Sequence, residues 1–291
     1  MNNKINIQPK YTESQIEKFQ TEDDFMDASV ELLKQTIELI FRVVGENFCE
    51  GNEGMPKKIS KDEAVVAGNL TRLVKLNTSF LENICNGKSE ICYIINRCIA
   101  ETCINLKYIL IEGEERVKRN YIKNSLITEK ELWKTIITNI KENDGEVLPI
   151  EDRMKKSIQN SFDKSDFEID DVNRSSNWKS LKARAEVVAG KMFYDVYYGI
   201  ASHSIHGNWQ DILTNNLEKV DDGFKIKLDW QKPRPQLLDG PTYLNLDIIT
   251  LYNEKEIQNL TLKRQISEIC ISLKKYHLKI EETHEKWMSI K

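Results

Sequence analysis

From Ser89 to Gly113 the chain carries apolar residues on nearly every side of a would-be helix, and in water such a helix persists only inside a bundle. Ser89 is placed to cap its start and Gly113 to bend or end it. The best apolar run within it, Ile91 to Ile111, is broken by Arg97, Glu101 and Lys107, so it does not read as a membrane span. It needs other helices to cover it.

The rest of the sequence provides them. Thr21 caps a helix expected to run to about Cys49, with Glu22, Asp23 and Asp24 favourably placed at its positive end. Val30, Leu33, Ile37, Ile40 and Val44 keep helical spacing along it. GNEGMPKK reads as a loop. Ser60 and Glu63 form a capping box that opens a helix to about Cys85, ended by Asn86-Gly87. Thr128 and Glu131 predict another capping box, with a helix ending near Asp144-Gly145. Pro149 to Lys164 suits a short amphipathic helix, and a long one is expected from Trp178 to His206, stopped by Gly207. The one good strand signal is FKIKLDW, Phe224 to Trp230, alternating after Asp222-Gly223 and able to pair with LEKV before it. Final helices are expected from Thr242 onward. The fold class is therefore all-α: a helical bundle with one short β-hairpin near 216–230. A polar arm, 1–20, precedes a single helical domain, 21–291, read either as one unit or as two packed halves, 21–145 and 149–291.

Of the 291 residues, 40% are hydrophobic and 30% charged, the balance of a water-soluble globule, long enough to bury a sizeable core. The net charge of -4 disfavours a broad basic platform for nucleic acid, though not a local basic cleft. The amino terminus has no apolar signal-peptide core, so a cytoplasmic location and no membrane partner are expected. None of the six cysteines forms a C-x-x-C pair, and Cys92, Cys98 and Cys103 sit inside an apolar helical run, as reduced structural thiols do. The tail histidines His277 and His284, beside Glu281, Glu282 and Trp287, read as a solvated or partner-facing surface.

Two helices carry polar residues where packing alone would not place them. Arg97, Glu101 and Asn105 are spaced four apart, and Tyr108 continues their stripe, so Arg97 and Glu101 are within reach of an ion pair. That pair either fixes how helices pack, or Arg97 binds an anion while Glu101 orients it. In YDVYYGIASHSIHGNW, Tyr198, Ser202 and His206 share a helical stripe with Arg184, Lys191 and Asp195. No strand-turn-helix elbow surrounds Ser202, which weighs against a serine nucleophile. His203 and His206 would need carboxylates from neighbouring helices, Glu101 among them, to hold a metal. The reading assigns no metal and no cofactor, and leaves His206 either acid–base or structural.

The pairing of R-x3-E-x3-N (Arg97, Glu101, Asn105) with a later Y-x3-S-x3-H-G (Tyr198, Ser202, His206, Gly207) resembles a bacterial family of helical proteins of unknown function. The similarity spans roughly Glu63 to Gly207. It implies that both helices contribute to one centre, and it brings no activity. A more distant resemblance is to HEPN domains, helical bundles that act as ribonucleases in toxin and antiphage defence systems. Their signature places arginine four to six residues before histidine. No arginine precedes His203, His206, His277 or His284 at that spacing, so Arg97 would have to act from another helix.

Two readings follow. In the first, the chain is a metal-independent, HEPN-like ribonuclease or related phosphodiester-acting protein of defence or toxin type. Arg97 holds phosphate, His206 is the acid–base residue, Glu101 assists, and Asn105, Tyr198, Ser202 and His203 position an RNA or nucleotide. In the second it is a non-enzymatic helical module for a partner protein, a second copy or a small ligand, the same residues forming a structural polar core.

Overall fold

A computed structural model of the chain describes residues 5–50, 55–173, 177–190, 194–195 and 205–290. The first two long helices start where their caps predict. Helix α1 is the single turn Glu13–Ile16, and α2 spans Glu22–Phe48. The Thr21 side chain accepts from Asp24 N (3.2 Å), while the Asp24 carboxylate accepts from Thr21 N (2.9 Å) and Gln20 N (3.0 Å). These bonds hold the Asp24 carboxyl below its usual pKa. Helix α3, Lys61–Cys85, opens with the same reciprocal box between Ser60 and Glu63. Helix α4 is Ser89–Glu112, with Gly113 left-handed at its end (φ 67°).

Helix α5 runs unbroken over Glu115–Glu142, which corrects the expected start at Thr128. Thr128 lies in mid-helix because Ile122, Leu126, Ile127, Trp133, Ile136 and Ile140 form one apolar stripe across it, and packing overrides the capping signal. Helix α6, Pro149–Ser165, begins on its proline and ends on left-handed Asp166 (φ 52°). Helix α7 occupies Leu181–Ala189 and stops at left-handed Gly190 (φ 81°). The expected helix from Trp178 therefore begins three residues later and is interrupted where glycine permits a positive φ. After the short helix α8, Trp209–Asn215, strands β3 (Leu217–Val220) and β4 (Gly223–Ile226) form the hairpin, Leu217 opposite Ile226. A second, minimal pairing joins β1 (Cys49–Glu50) to β2 (Met55–Pro56), the latter within the segment read as a loop. Helix α9, Gln236–Lys255, starts earlier than expected and carries Pro241 inside it, because Leu238 is already buried in its first turn. Helix α10, Leu260–Ser289, completes an all-α fold.

The described chain forms two compact units, residues 1–111 with 181–291, and 112–180. In the first, α2 packs on α3, α9 and α10, and buries Phe25, Leu32, Leu33, Leu39 and Ile40. In the second, α5 and α6 enclose Leu126, Ile136, Ile158, Phe162, Phe167 and Val172.

Polar contacts fix the packing of the first unit. Asn77 of α3 and Asn245 of α9, both fully buried, exchange two amide hydrogen bonds of 3.2 and 2.8 Å. Each amide also donates to its own helix, at Leu73 O (2.8 Å) and Pro241 O (2.7 Å). Helix α4 is tied to α3 by Arg72 Nε to Thr102 Oγ1 (3.2 Å) and to α9 by Lys107 Nζ to Asp247 Oδ2 (2.6 Å).

His277 and His284 are buried, which corrects their sequence reading as a solvated surface. They continue the stripe Ile266, Cys270, Leu273, Ile280 that α10 turns inward. The His284 ring lies 4.6 Å from that of Phe25 and stacks on Trp287 at 5.8 Å, and its buried Nε2 has no hydrogen-bond partner.

Two outcomes follow from this packing. Asn245→Ala strands the Asn77 amide and is expected to cost about 1–3 kcal/mol, whereas the double change to leucine at both positions recovers most of that loss. Denaturant titration of the singles and the double checks this, and equal losses in all three would contradict it. For His284, burial lowers the pKa below 6.5, opposed by Glu22, Asp239 and Glu285 and assisted by Arg234. The unfolded chain then binds the proton more readily, so stability is lost as pH falls below 6.5 towards the depressed folded value. His284→Phe should show a flatter acid limb in melting temperature against pH. A constant offset from the parent at every pH would contradict this.

Candidate functional site

At about 100° per residue, Glu90, Ile94, Arg97, Glu101, Asn105 and Tyr108 share one face of α4. Tyr108 is buried, Arg97, Glu101 and Asn105 are half-buried, and the Asn105 Oδ1 atom is shielded from solvent without a hydrogen-bond partner. Among the described residues no ion pair joins Arg97 to Glu101, although their spacing places both on this face. Helical position brings the side chains to one face; it does not bring their charged ends together. His206 is exposed in a short helical turn before left-handed Gly207 (φ 52°). Tyr198, Ser202 and His203 lie outside the described residues, as does Lys191. Arg184 is buried in α7 and Asp195 is exposed.

The stripe leads into a cleft of ≈ 320 Å³ at the start of α4. Glu90, Ile91 and Ile94 form one wall, Asp211 and Asn215 of α8 another, and Lys227 to Trp230 a third. His206 lies two residues before Asn208, whose side chain caps α8 by accepting from Asp211 N (3.2 Å). Asn215 donates to Asp211 Oδ1 (2.9 Å), and Glu90 Oε1 accepts from Gln231 N (3.1 Å). The other Glu90 oxygen, Oε2, is buried with no hydrogen-bond partner. Three carboxylates (Glu90, Asp211, Asp229) face one ammonium (Lys227), so the cleft repels phosphate and suits a group rich in N–H donors.

Beside the cleft the surface is unusually apolar. Trp209 is 58% exposed, Phe224 48%, Ile226 75%, Leu228 86% and Trp230 52%. Phe224 and Ile226 lie on the same side of β4, and Trp209 meets Phe224 edge-on at 5.7 Å. Leu228 and Trp230 belong both to this surface and to the cleft wall. Of FKIKLDW only Phe224 to Ile226 lies in β4, which corrects the expected strand to Trp230, and its apolar side turns outward instead of covering the bundle.

The buried thiols of Cys92, Cys103 and Cys270 are poor nucleophiles. Burial pushes Cys92 up to about 12 and Cys270 up to about 11, and drives the wholly buried Cys103 higher still. Among the described residues no group of three or more His, Cys, Asp or Glu side chains is arranged to hold a metal. None of the described helices is long and apolar enough to cross a membrane.

The sequence reading missed a second group. His277 Nε2 lies 3.4 Å from Asp239 Oδ1, at a pocket between α9 and α10. The signal was present: His277 stands seven residues before His284 and seven after Cys270, on the spacing of the inward stripe of α10.

Because Glu101 is half-buried and unpaired with Arg97, Glu101→Ala should change unfolding free energy by less than about 1 kcal/mol, as for an exposed charge. A loss of about 3–5 kcal/mol, the penalty for stranding a buried partner, would contradict this placement.

No curated protein and no solved structure matches the chain. A family model described as a family of unknown function (DUF5677) matches residues 63–224, from α3 through the hairpin turn, and so takes in the α4 stripe and the α4 and α8 walls of the cleft but not Lys227 to Trp230. The match covers more than half of the chain, which therefore belongs to this family of unknown function.

Proposed function

We propose that this chain is a non-enzymatic helical module that docks a partner protein on the surface formed by α8, the hairpin and the segment to Trp230. The observation that carries this reading is the exposure of Trp209, Phe224, Ile226, Leu228 and Trp230 together. A soluble chain leaves such a patch open where another molecule covers it, and tryptophan is among the residues that dominate docking energies. The cleft beside it adds specificity. Its three carboxylates and the unpaired Glu90 oxygen accept a lysine or arginine side chain set among apolar neighbours.

The second reading is the HEPN-like, phosphodiester-acting enzyme of defence type. One observation favours it: Arg97 is only half-buried and His206 is exposed, so solvent reaches both side chains. The carboxylates around the cleft weigh against RNA as its ligand.

One set of variants separates the two. Peptides selected on the full chain from a random displayed library are expected to carry a basic residue flanked by apolar ones. Their affinity, read by fluorescence anisotropy, should fall about tenfold or more in Leu228→Lys and in Glu90→Gln, with melting temperature unchanged. RNA should remain intact. RNA cleavage that disappears in both Arg97→Ala and His206→Ala would overturn the docking reading in favour of the enzyme.

A further inference from the structure

The pocket between α9 and α10 has a volume of ≈ 360 Å³ and belongs to neither the α4 stripe nor the proposed docking surface. Its floor is the His277 imidazole, only 6% exposed, whose Nε2 atom is shielded from solvent and makes no hydrogen bond. Asp239 Oδ1 lies 3.4 Å away, near enough to attract a proton-bearing ring but not aligned to receive its N–H. A buried polar atom in that condition costs free energy that an incoming group can recover. Tyr243, Leu244 and Leu278 make the other walls apolar, and Tyr243 and Leu278 keep more than half of their surface open. Glu281 stands at the rim, and among the described residues no lysine or arginine lines the pocket.

These walls impose three requirements on an occupant. It needs an apolar body, flat or linear, to cover Tyr243 and Leu278. It needs a positive charge, because the ionisable groups around it are the carboxylates Asp239 and Glu281 with an imidazole between. It needs several N–H donors, one for the His277 nitrogen and others for the carboxylate oxygens. A primary ammonium supplies three donors and no acceptor, and a neutral imidazole nitrogen accepts one of them.

We propose that this pocket binds an apolar primary amine, an alkyl- or aralkylammonium, through His277, Asp239 and Glu281. The amine nitrogen sits among the imidazole and the carboxylates, and its hydrocarbon body lies against Tyr243, Leu244 and Leu278. The ring of Tyr243 also meets the cation, whose attraction to an aromatic face adds to the burial of the body.

The test titrates the full chain with phenethylamine, with phenethyl alcohol and phenylacetate as neutral and anionic bodies of the same shape. Binding is read by calorimetry and by the imidazole resonances of His277. Phenethylamine is expected to bind saturably and move the His277 signals, while the other two do not. Asp239→Asn and His277→Phe should each weaken it about tenfold or more. Tyr243→Ala, at an exposed position that leaves the fold intact, should weaken it as well, so the result does not hang on the buried variants folding. Equal binding of the alcohol or the carboxylate, affinity unchanged in Asp239→Asn and Tyr243→Ala, or no saturation at millimolar phenethylamine would each overturn the proposal. Glu90→Gln should leave this binding untouched, which separates it from the cleft at the start of α4.

Discussion

Two buried amides, Asn77 and Asn245, set the register on which the larger unit depends. Apolar faces slide past one another at little cost, whereas an amide pair out of register leaves donors and acceptors unsatisfied in a place water does not reach. The exchange holds α3 and α9 in one relation. Helix α4 is then joined to both, through Arg72 and Thr102 on one side and Lys107 and Asp247 on the other. With α4 held at two points, the direction of its remaining polar residues is no longer free. Glu90, Arg97, Glu101 and Asn105 are half-buried as a consequence of where α3 and α9 stand.

That arrangement explains why the candidate surfaces lie at the margins of the unit. The centre is closed by Phe25, Leu32, Leu33 and Phe80, and its thiols are held protonated by burial. Among the reachable places are the cleft at the start of α4, the apolar side of the hairpin and the pocket between α9 and α10. The first two adjoin, sharing Leu228 and Trp230, and so combine an apolar contact area with a carboxylate pocket for a basic anchor. Nucleic acid would ask for the opposite sign of charge in that cleft.

Most of the helices were legible in the sequence because local signals and packing agree. Thr21 and Ser60 cap as their spacing predicts, and Pro149 opens α6. Three of the failures share one physical cause: a local signal opposed by tertiary burial. Thr128 offers a capping box, but the stripe from Ile122 to Ile140 carries the helix through it. Pro241 marks a helix start near Thr242, yet burial of Leu238 begins the helix at Gln236. His277 and His284 read as polar and therefore wet, while their seven-residue spacing belonged to the buried stripe. Of the site, the sequence placed Arg97, Glu101 and Asn105 on one face but not the direction of their charged ends. The outward turn of Phe224 and Ile226 was not readable from alternation, which tells two faces apart without saying which one is covered.

The central claim, that the α8–hairpin surface is open in the isolated chain and closed by a partner, has a direct measurement. With 5-fluorotryptophan in place of tryptophan, the fluorine spectrum separates Trp133, Trp178, Trp209, Trp230 and Trp287. A soluble paramagnetic agent then attenuates each signal according to its exposure. The account predicts that Trp209 and Trp230 are attenuated most in the free monomer and become protected once the surface is occupied. Protection of both in the free monomer would mean that the chain already covers this face itself, and would contradict the account.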